Sequence, residues 1–506
     1  MMEDAKTQLF DVAIVGYGPT GATLANLLAQ CGVRVVVIER NIAMYHLPRA
    51  VHFDDETMRI FQTVGIADPL SEKVRINPGM RFVDHQKSVI LEWPRPQEIG
   101  FQGWHASYRL HQPDLEQLLR AKLSDYSNVV VLNGTEIVNI EQQSGHVRLL
   151  CCDINSGHEQ LLNAKYVVGC DGANSIVRST IGSDVDDLGF NERWLVVDLL
   201  LKRERPDLGD YSIQFCDPVR PMTYCRNPAK RRRWEITMLE GETDAEVTHS
   251  DRIWKFLAPW ITAEDAELER TAVYTFQSVV ADKWRKGRLL IAGDAAHLTP
   301  PFMGQGMCAG IRDAANLAWK LALCIKGIAD EGILDSYQQE RAPHVRTFIK
   351  MAIRLGGLIN TIDSRSALAQ AESSAEGTAR ISSITPPLGT SNLGGLLSSN
   401  GPHCGCLFSQ PMLRDGQRLD DAIGYTSVLI VRSPLHQNVT PVVSVLDAET
   451  HPNLATVLDG LNTNAVLVRP DRYIAASAVF ENDIIDIAVT GLPSPISKIK
   501  EREHTL

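Results

Sequence analysis

The chain has 506 residues, of which 44% are hydrophobic and 22% are charged, close to the average for globular domains. At about 100–200 residues per domain, this length allows roughly two to four domains and excludes a short disordered tail or a disulfide-stapled mini-protein. Lys and Arg number 50 and Asp and Glu number 61, for a net charge of −11. This acidic balance argues against binding to nucleic-acid phosphates or an anionic membrane, and favours a small-molecule ligand.

The cysteines and the N-terminus indicate the compartment. None of the 10 cysteines forms a C-x-x-C pair, and Cys404 and Cys406 in the HCGC segment lack further ligands at the usual spacing, so we predict reduced thiols and no metal site. The N-terminal MMEDAKTQLF is acidic where a leader would be basic, and no run of about 18 uncharged apolar residues occurs. We therefore expect a cytoplasmic protein that enters no membrane.

The first predicted elements form a βαβ unit. Residues 10–16 (FDVAIVG) and 33–40 (VRVVVIER) are continuous apolar runs, typical of strands buried on both faces of a parallel sheet. Residues 20–30 (TGATLANLLAQ) between them are typical of a helix that ends before Cys31 and Gly32. This unit sets the context for the first chemical motif.

The segment from Gly16 to Gly21 has the G-x-G-x-x-G spacing between that strand and that helix, and Glu39 ends the second strand. In this context the glycines admit a pyrophosphate at the helix N-terminus, and the acid accepts hydrogen bonds from a ribose. The alternative is an ordinary Gly-rich turn followed by an exposed Glu.

The middle of the chain has a different pattern. Residues 80–105 and 190–280 alternate apolar and polar positions, interrupted by Pro and Gly, which predicts antiparallel strands. The run Arg231-Arg232-Arg233 is interpreted as a solvated turn. Attraction of an anionic substrate or of an NAD(P)H phosphate is its alternative.

Two more motifs lie in βαβ-like sequence. One is the Gly169-Cys170-Asp171-Gly172 turn within 165–182, and the other is the Gly293-Asp294 turn within 287–297, followed by a Gly-rich segment at 304–310 and a helix over 309–326. One cofactor domain built from non-contiguous segments is therefore predicted. Beyond a Ser-, Gly- and Pro-rich connector at 362–403, short apolar runs predict a small α/β appendage.

The order and spacing of these three motifs over about 1–360 resemble the group A flavoprotein aromatic hydroxylases, single-component enzymes that use FAD and a reduced nicotinamide. Within that group the chain is most similar to the 3-(3-hydroxyphenyl)propionate hydroxylases. The segments that carry this similarity are PRAVHFDDETMR (48–59), CDPVRP (216–221), RDAANLAWKLAL (312–323), YQQER (337–341) and VRPDRYIAA (468–476).

The resemblance implies an α/β fold in which a Rossmann-like FAD-binding domain of the p-hydroxybenzoate hydroxylase type is interwoven with an antiparallel β-sheet substrate domain. The expected FAD-binding domain comprises 1–80, 106–185 and 281–361, and the substrate domain comprises 81–105 and 186–280. A linker at 362–403 would lead to a thioredoxin-like appendage at 404–506 without redox function.

The resemblance also implies which residues hold FAD. They are Gly16, Gly18, Pro19, Thr20, Gly21, Glu39, Arg40, Arg49, Gln112, Asp171, Gly293, Asp294, Pro301, Gly304, Gly306 and Met307. Backbone N–H groups at Gly306 and Met307 would face the flavin, where a helix N-terminus stabilises negative charge. Relatives often have Asn where Cys308 stands; a packing thiol is the simpler interpretation, and a covalent flavin link is the alternative.

The implied reaction uses NADH or NADPH to reduce FAD, O2 to form a flavin C4a-hydroperoxide, and an activated ring to take up oxygen ortho to a hydroxyl. A phenol with a pKa of about 10 then needs a base. His52 and Asp54 are the candidates for this base, and the Pro301 carbonyl is a candidate contact of the substrate hydroxyl. The alternatives are a structural or substrate-selecting His52, an N-cap Asp54 and a turn-shaping Pro301.

Candidate substrate contacts are Arg220, as a carboxylate anchor, and Tyr224 and Trp234, as aromatic walls; each is alternatively ordinary sheet surface or core. The favoured function is FAD-dependent hydroxylation of a small phenolic substrate in aromatic catabolism. A tailoring oxygenase or reductase of the same fold, acting on a different aromatic or polycyclic metabolite, is the second hypothesis, and a non-catalytic nucleotide-binding module is the third. Homodimers are common in the family.

Overall fold

A computed structural model of the chain describes residues 9–45, 49–360, 372–373, 379–389, 403–434 and 443–479. Most of the predicted linker at 362–403, and residues 480–506 of the predicted appendage, lie outside these ranges.

The helices, in chain order, are α1 (Pro19–Gln30), α2 (Asp55–Val64), α3 (Ala67–Ser71), α4 (Gln112–Leu123), α5 (Ile176–Ile181), α6 (Asp244–Val247), α7 (Ser250–Leu257), α8 (Gly306–Ile325), α9 (Asp335–Asn360), α10 (Leu419–Ile423) and α11 (Pro452–Gly460). Short 3-10 helices cover Pro206–Leu208, Gly293–Ala295, Pro301–Met303 and Glu331–Leu334.

The strands are β1 (Leu9–Val15), β2 (Val35–Glu39), β3 (His52–Asp54), β4 (Arg75–Ile76), β5 (Gly79–Val83), β6 (Val89–Pro94), β7 (Ser107–Arg109), β8 (Val129–Asn133), β9 (Thr135–Gln142), β10 (Val147–Asp153), β11 (Glu159–Gly169), β12 (Val185–Leu201), β13 (Ser212–Phe215), β14 (Met222–Arg226), β15 (Arg231–Thr237), β16 (Ala266–Ala281), β17 (Arg285–Lys286), β18 (Leu289–Ile291), β19 (His297–Leu298), β20 (Glu372–Ser373), β21 (Ala379–Arg380), β22 (Ser427–Val431), β23 (Val443–Asp447), β24 (Ala465–Val468) and β25 (Ile474–Ala478).

The first sheet is mainly parallel and carries the predicted βαβ unit. Its strand order is β17-β18-β11-β1-β2-β8, and β10 and β9 extend it in antiparallel fashion from β11. β1 pairs in parallel with both β2 and β11. Val12, Ala13 and Ile14 at the centre of β1 are fully buried, which explains the uninterrupted apolar run in the sequence. The carboxyl ends of β1, β11 and β18 therefore lie side by side.

The second sheet has the order β19-β16-β12-β15-β14-β13-β5-β6-β21-β20 and is mainly antiparallel. Both of its faces are buried. On one face Leu195 and Val197 pack in a core with Ile253 and Leu257 of α7. On the opposite face Trp194 packs against Phe302, with ring centroids 5.9 Å apart. This second face is turned toward the 3-10 helix Pro301–Met303, which precedes α8.

A small third sheet, with the order β3-β7-β4, lies next to this second face of the second sheet. Its antiparallel register pairs His52 with Arg109, and Asp54 at the end of β3 leads directly into α2. Residues 52–59 of the predicted segment are thus a strand followed by the start of α2.

The appendage contains a four-stranded sheet with the order β23-β22-β24-β25. β22 is parallel to β23 and antiparallel to β24, and β24 is antiparallel to β25. The appendage packs on α2 through Arg59, whose Nε lies 2.6 Å from Asp420 Oδ2. Among the described helices, none is long and apolar enough to cross a membrane.

Candidate active site

A nucleotide cradle is formed where β1 turns into α1. Gly16 has a φ of +99°, and a Cβ added there would lie 2.4 Å from the Cys170 carbonyl oxygen. A Cβ at Gly21 would lie 2.1 Å from the Gly16 carbonyl oxygen, whereas a Cβ at Gly18 would meet no atom within 4 Å. Gly16 and Gly21 therefore close the turn, and Gly18 faces open space at the helix N-terminus, as a bound pyrophosphate requires.

Glu39 is held in place beside this turn. Its Oε2 accepts a hydrogen bond from Tyr17 N at 2.8 Å, and its Oε1 accepts from Asn41 N at 2.8 Å. Oε1 also accepts from Asn41 Nδ2 at 2.7 Å. A carboxylate has about four acceptor sites, so Oε2 is the oxygen that retains capacity for a ribose hydroxyl. The side chains of Arg40 and Arg49 are exposed near the cradle, and Arg49 lies over the Tyr45 ring at 4.7 Å.

The Gly293–Asp294 turn is attached to α8 and α9 by a buried charged cluster. Asp313 Oδ2 accepts from Gly293 N at 3.0 Å and lies 2.7 Å from His297 Nε2, and Asp313 Oδ1 accepts from Arg341 Nε at 2.8 Å. Although burial opposes ionisation, His297 and Arg341 lower the pKa of Asp313 to about 2. The cluster leaves Asp294 exposed at the turn, with no hydrogen bond to another described residue.

Asp171 supplies an unpaired acceptor on the other side of the cradle. Its Oδ2 accepts from Val177 N at 3.4 Å, but its buried Oδ1 has no partner among the described residues. Burial raises the pKa of this carboxyl group. A buried oxygen without a donor is costly, and the hydroxyl of a bound cofactor would satisfy it.

The N-terminus of α8 carries the backbone N–H groups that were predicted to face the flavin. The N–H groups of Gly306 and Met307 precede the first intrahelical bonds of this 20-residue helix, and its first turn has no acidic residue. The helix dipole therefore stabilises negative charge at this point. The Cys308 thiol is fully buried, and burial raises its pKa to about 12, so it is a packing thiol and not a nucleophile facing the cofactor.

A cavity with about 570 Å³ of empty space, part of it open to solvent, lies next to this helix N-terminus. One wall is the segment 301–304. Opposite it are apolar and polar residues of the second sheet, among them Met80, Trp93, Thr223, Cys225 and Glu235. His52 and Arg109 of the third sheet close one side. The cavity thus lies between the segment that leads into α8 and the antiparallel sheet.

The comparisons agree with this geometry. The family model described as "FAD binding domain" matches residues 9–352. The chain belongs to the FAD-binding domain family. The cradle fits that assignment because Gly18 leaves room for a pyrophosphate and Asp171 offers an unpaired acceptor.

Two kinds of hydroxylase occur among the sequence relatives. The "Probable NADH-specific resorcinol 4-hydroxylase" of Rhodococcus jostii (strain RHA1) is 44% identical over 348 residues, which are 68% of this chain and 65% of that protein. The "3-(3-hydroxy-phenyl)propionate/3-hydroxycinnamic acid hydroxylase 2" of Burkholderia vietnamiensis (strain G4 / LMG 22486) is 38% identical over 349 residues, 69% of this chain and 63% of that protein. The matches therefore span less than two thirds of either relative.

Solved structures share the fold over nearly the whole chain. The flavin-dependent monooxygenase PieE, in complex with FAD and substrate, superposes with a TM-score of 0.79 at 22% identity and covers 96% of this chain and 98% of its own. Aklavinone-11 hydroxylase, with FAD and aklavinone, gives a TM-score of 0.78 at 21% identity, covering 97% and 100%. The predicted α/β fold of the p-hydroxybenzoate hydroxylase type is confirmed.

Asp54 does not have the geometry of a base in this FAD-binding domain protein. Its Oδ1 caps α2 by accepting from Thr57 N at 3.0 Å, and its Oδ2 accepts from Gln305 at 3.0 Å and from Arg312 at 2.5 Å. Although burial opposes ionisation, Arg312 and Gln305 hold the pKa of Asp54 well below its usual range. The alternative interpretation as an N-cap is the one that the structure shows.

His52 lines the cavity, but its ring nitrogens are occupied. Nε2 lies 2.8 Å from Ser107 Oγ, and Nδ1 lies 3.3 Å from the Gly304 carbonyl oxygen, so Nδ1–H donates and Nε2 accepts. Burial, together with the charges of Arg109 and Arg95, lowers the pKa of His52 to about 3. A neutral imidazole with its lone pair engaged is a poor proton acceptor. Its geometry is that of a residue that positions segment 301–304.

The predicted substrate contacts from the second sheet lie outside the cavity. Tyr224 and Trp234 are cross-strand partners with ring centroids 4.8 Å apart, buried in the core with α7. Arg220 is bound by Glu242, with Nη2 2.7 Å from Oε1. The cavity is lined by the sequence neighbours Thr223 and Glu235, because adjacent side chains of a strand point to opposite faces.

The structure also gives the contacts of two other predicted groups, the Arg231-Arg232-Arg233 run and Gln112. The Arg231-Arg232-Arg233 run is not a solvated turn but the start of β15, and Arg233 is buried against Asp198 at 2.7 Å. Gln112 holds the protein together, since its Oε1 accepts from Ala50 N at 2.7 Å and its Nε2 donates to Glu116 at 2.7 Å. These contacts fix the segment next to Arg49, and a contact of Gln112 with the cofactor stays a prediction.

Sequence reasoning missed Arg95 and Arg109, which both line the cavity. Arg95 follows β6 and Arg109 ends β7, in stretches that carry no recognisable motif. The one available signal was an arginine at the end of each short strand near the 48–59 segment.

Proposed function

We propose that this protein is an FAD-dependent monooxygenase that uses NADH or NADPH and O2 to hydroxylate a small phenolic substrate, ortho to an existing hydroxyl. The observation that carries the proposal is the cavity whose wall, segment 301–304, leads directly into the free N–H groups of α8. A substrate in this cavity lies against the expected flavin edge. The names of the sequence relatives support phenols as the substrate class.

FAD, once bound and reduced, supplies the activated oxygen; the chain's own residues enclose and orient the substrate. Met80, Trp93 and Phe302 give the cavity an apolar wall against which an aromatic ring packs. His52, through Ser107 and the Gly304 carbonyl oxygen, fixes the wall that faces the cofactor. Pro301 lines the same wall, and its carbonyl oxygen accepts from Gly304 N at 2.9 Å; the second lone pair of this oxygen accepts the hydrogen bond of the substrate hydroxyl.

We further propose that the appendage has a thioredoxin-like fold. Numbered within the appendage, its strand order is 2-1-3-4, with the first two strands parallel and the others antiparallel. A helix, α11, separates the second strand from the third. The sequence contains no C-x-x-C pair, which supports a structural role and not a redox role for the appendage. Cytoplasmic location and a homodimer stay predictions.

The direct test is aerobic turnover of the purified holoprotein with NADH or NADPH and a panel of phenols. We expect phenol-stimulated oxidation of the nicotinamide and a product one oxygen atom heavier than the phenol, identified by mass spectrometry. Nicotinamide oxidation that yields only hydrogen peroxide with every phenol would contradict the hydroxylase assignment while leaving the FAD site intact.

A further inference from the structure

Two arginines face the substrate cavity without a carboxylate partner. Arg109 is only 6% exposed; its Nη2 donates to Ser212 Oγ at 2.5 Å, and its Nε has no partner among the described residues. The guanidinium of Arg95 lies over the Trp93 ring, 4.1 Å from the centroid, and forms no hydrogen bond or ion pair with a described residue. Both side chains line the cavity.

Three other core arginines among the described residues are paired with carboxylates. Arg59 lies 2.6 Å from Asp420, Arg341 lies 2.8 Å from Asp313, and Arg469 lies 2.8 Å from Glu340. Buried charges are costly unless they are paired, which explains this pattern. Arg232 has no ion pair with a described residue either, but it lies outside the cavity and its Nη1 donates to the carbonyl oxygens of Ala229 and Arg231 at 3.0 and 2.7 Å. Arg95 and Arg109 lack a carboxylate partner among the described residues at one place, the cavity, so an anionic ligand there is the simplest account.

The other titratable groups of the cavity do not supply that anion. His52 is neutral, and burial raises the pKa of Glu235, whose nearest cation is Arg233 at 3.7 Å. Asp54 and Asp55 favour the charged form of Arg95 from a longer distance, but neither forms an ion pair with it. Burial lowers the pKa of Arg95 only to about 10, so this guanidinium is charged at neutral pH.

We propose that Arg95 and Arg109 form an anion subsite that binds a carboxylate carried by the phenolic substrate. The substrate class is then a phenol with a carboxylate on a short side chain, not a neutral dihydroxybenzene. Guanidinium groups bind carboxylates through parallel charge-assisted hydrogen bonds, and Arg109 Nε is a free donor for one of them. This inference rests on the proposed function and selects between its two kinds of relatives.

The subsite also orients the substrate in the cavity. A substrate held by its carboxylate at Arg95 and Arg109 has one remaining freedom, rotation of the ring toward segment 301–304. The carboxylate thus acts as a remote handle whose binding energy positions the ring for reaction. A neutral phenol in the same cavity lacks this handle and binds more weakly.

The test compares 3-(3-hydroxyphenyl)propionate with 3-ethylphenol, which keeps the ring and the hydroxyl but has no carboxylate. In the wild-type holoprotein we expect the KM for the carboxylate substrate to be at least about 10-fold lower than the KM for 3-ethylphenol. Arg109→Gln and Arg95→Gln each raise that KM by about 10- to 100-fold and leave the KM for the neutral phenol nearly unchanged. Arg109→Lys keeps the charge but loses the planar guanidinium group. We expect its KM for the carboxylate substrate to lie between those of the wild type and Arg109→Gln.

Arg220→Gln is the matched control, because Arg220 was the anchor predicted from sequence and lies outside the cavity, bound to Glu242. It leaves the ratio of the two KM values unchanged. An equal rise for both substrates in the Arg95 and Arg109 variants, or no preference for the carboxylate in the wild type, would overturn the anion subsite.

A binding measurement separates this inference from the proposed function. 3-Phenylpropionate has the carboxylate but no hydroxyl, and its binding to holoprotein is followed by quenching of Trp fluorescence, to which Trp93 beneath Arg95 contributes. Binding that weakens about 10-fold or more in both glutamine variants supports the subsite even if no phenol is hydroxylated. Binding that is equal in all variants overturns it even if turnover is observed.

Discussion

The cofactor cradle and the cavity wall differ in how directly the sequence encodes them. The cradle is built from contiguous residues, such as Gly16, Gly18 and Gly21, whose backbone positions follow from one turn. The cavity wall is one face of an antiparallel sheet, assembled from strands that are distant in sequence. A local motif therefore identifies its own geometry, whereas a sheet face depends on what covers each side. Four predictions test this contrast, ordered by expected effect.

The largest effect is expected at Gly21. Gly21→Val places a Cβ 2.1 Å from the Gly16 carbonyl oxygen and forces the cradle open, so the protein should purify with little or no bound flavin. The measurement is flavin absorbance per protein chain. The control is Gly460→Val at the end of α11, where a Cβ meets no atom within 4 Å. A variant at Gly21 with full flavin content would show that the cradle is not the cofactor site.

The two faces of the second sheet should respond in opposite ways. Trp234→Ala empties the core next to α7, and we expect a loss of about 3–5 kcal/mol in the free energy of unfolding, measured in urea, with little change in KM. Thr223→Val removes the hydroxyl that donates to Gln214 Oε1 at 2.6 Å on the cavity side, and should change KM. Exchanged outcomes would mean that the face assignment is wrong.

His52 predicts a dependence of stability on pH. The unfolded imidazole takes up a proton near pH 6.5 and the folded one only near pH 3, so the folded state loses stability as the pH falls through this window. As the pH falls, the free energy of unfolding of the wild type should decrease by up to about 1.4 kcal/mol per pH unit more than that of His52→Gln. Urea unfolding at a series of pH values between these limits gives the two slopes. Equal slopes would show that His52 titrates normally.

The smallest effect is expected at the contact between the appendage and α2. Tyr473 donates to Glu56 Oε1 at 2.7 Å, and Glu56 also accepts from Arg312 at 2.5 Å. Tyr473→Phe leaves the buried Oε1 without this donor and should cost about 1–3 kcal/mol of unfolding free energy. Tyr126→Phe, at a partly exposed position, serves as the control. Equal stability of the two variants would show that the Tyr473 contact does not hold the appendage.

The contrast also explains what could be predicted from sequence. The βαβ unit, the three cofactor motifs and the antiparallel region followed from local patterns and resemblance. The N-cap role of Asp54 was readable as an alternative, because Asp before a helical run caps helices. Local spacing was sufficient wherever one turn or one helix end defined the geometry.

The cavity residues required the tertiary structure. Tyr224 and Trp234 were chosen for their aromatic rings, but both faces of the sheet are buried, so burial and residue type do not reveal which face meets the cofactor. Arg95 and Arg109 line one cavity only because the second sheet, which contains β6, and the third sheet, which contains β7, both border it. No spacing of residues along the sequence predicts that these two arginines line one cavity.

The central claim is that this chain inserts one atom of O2 into a phenol. The most direct measurement is mass spectrometry of the product formed by the holoprotein with NADH, 3-(3-hydroxyphenyl)propionate and isotopically labelled ¹⁸O2. The account predicts a hydroxylated product in which the new oxygen is ¹⁸O. A hydroxylated product without the label, or oxidation of NADH with the phenol unchanged, would contradict it.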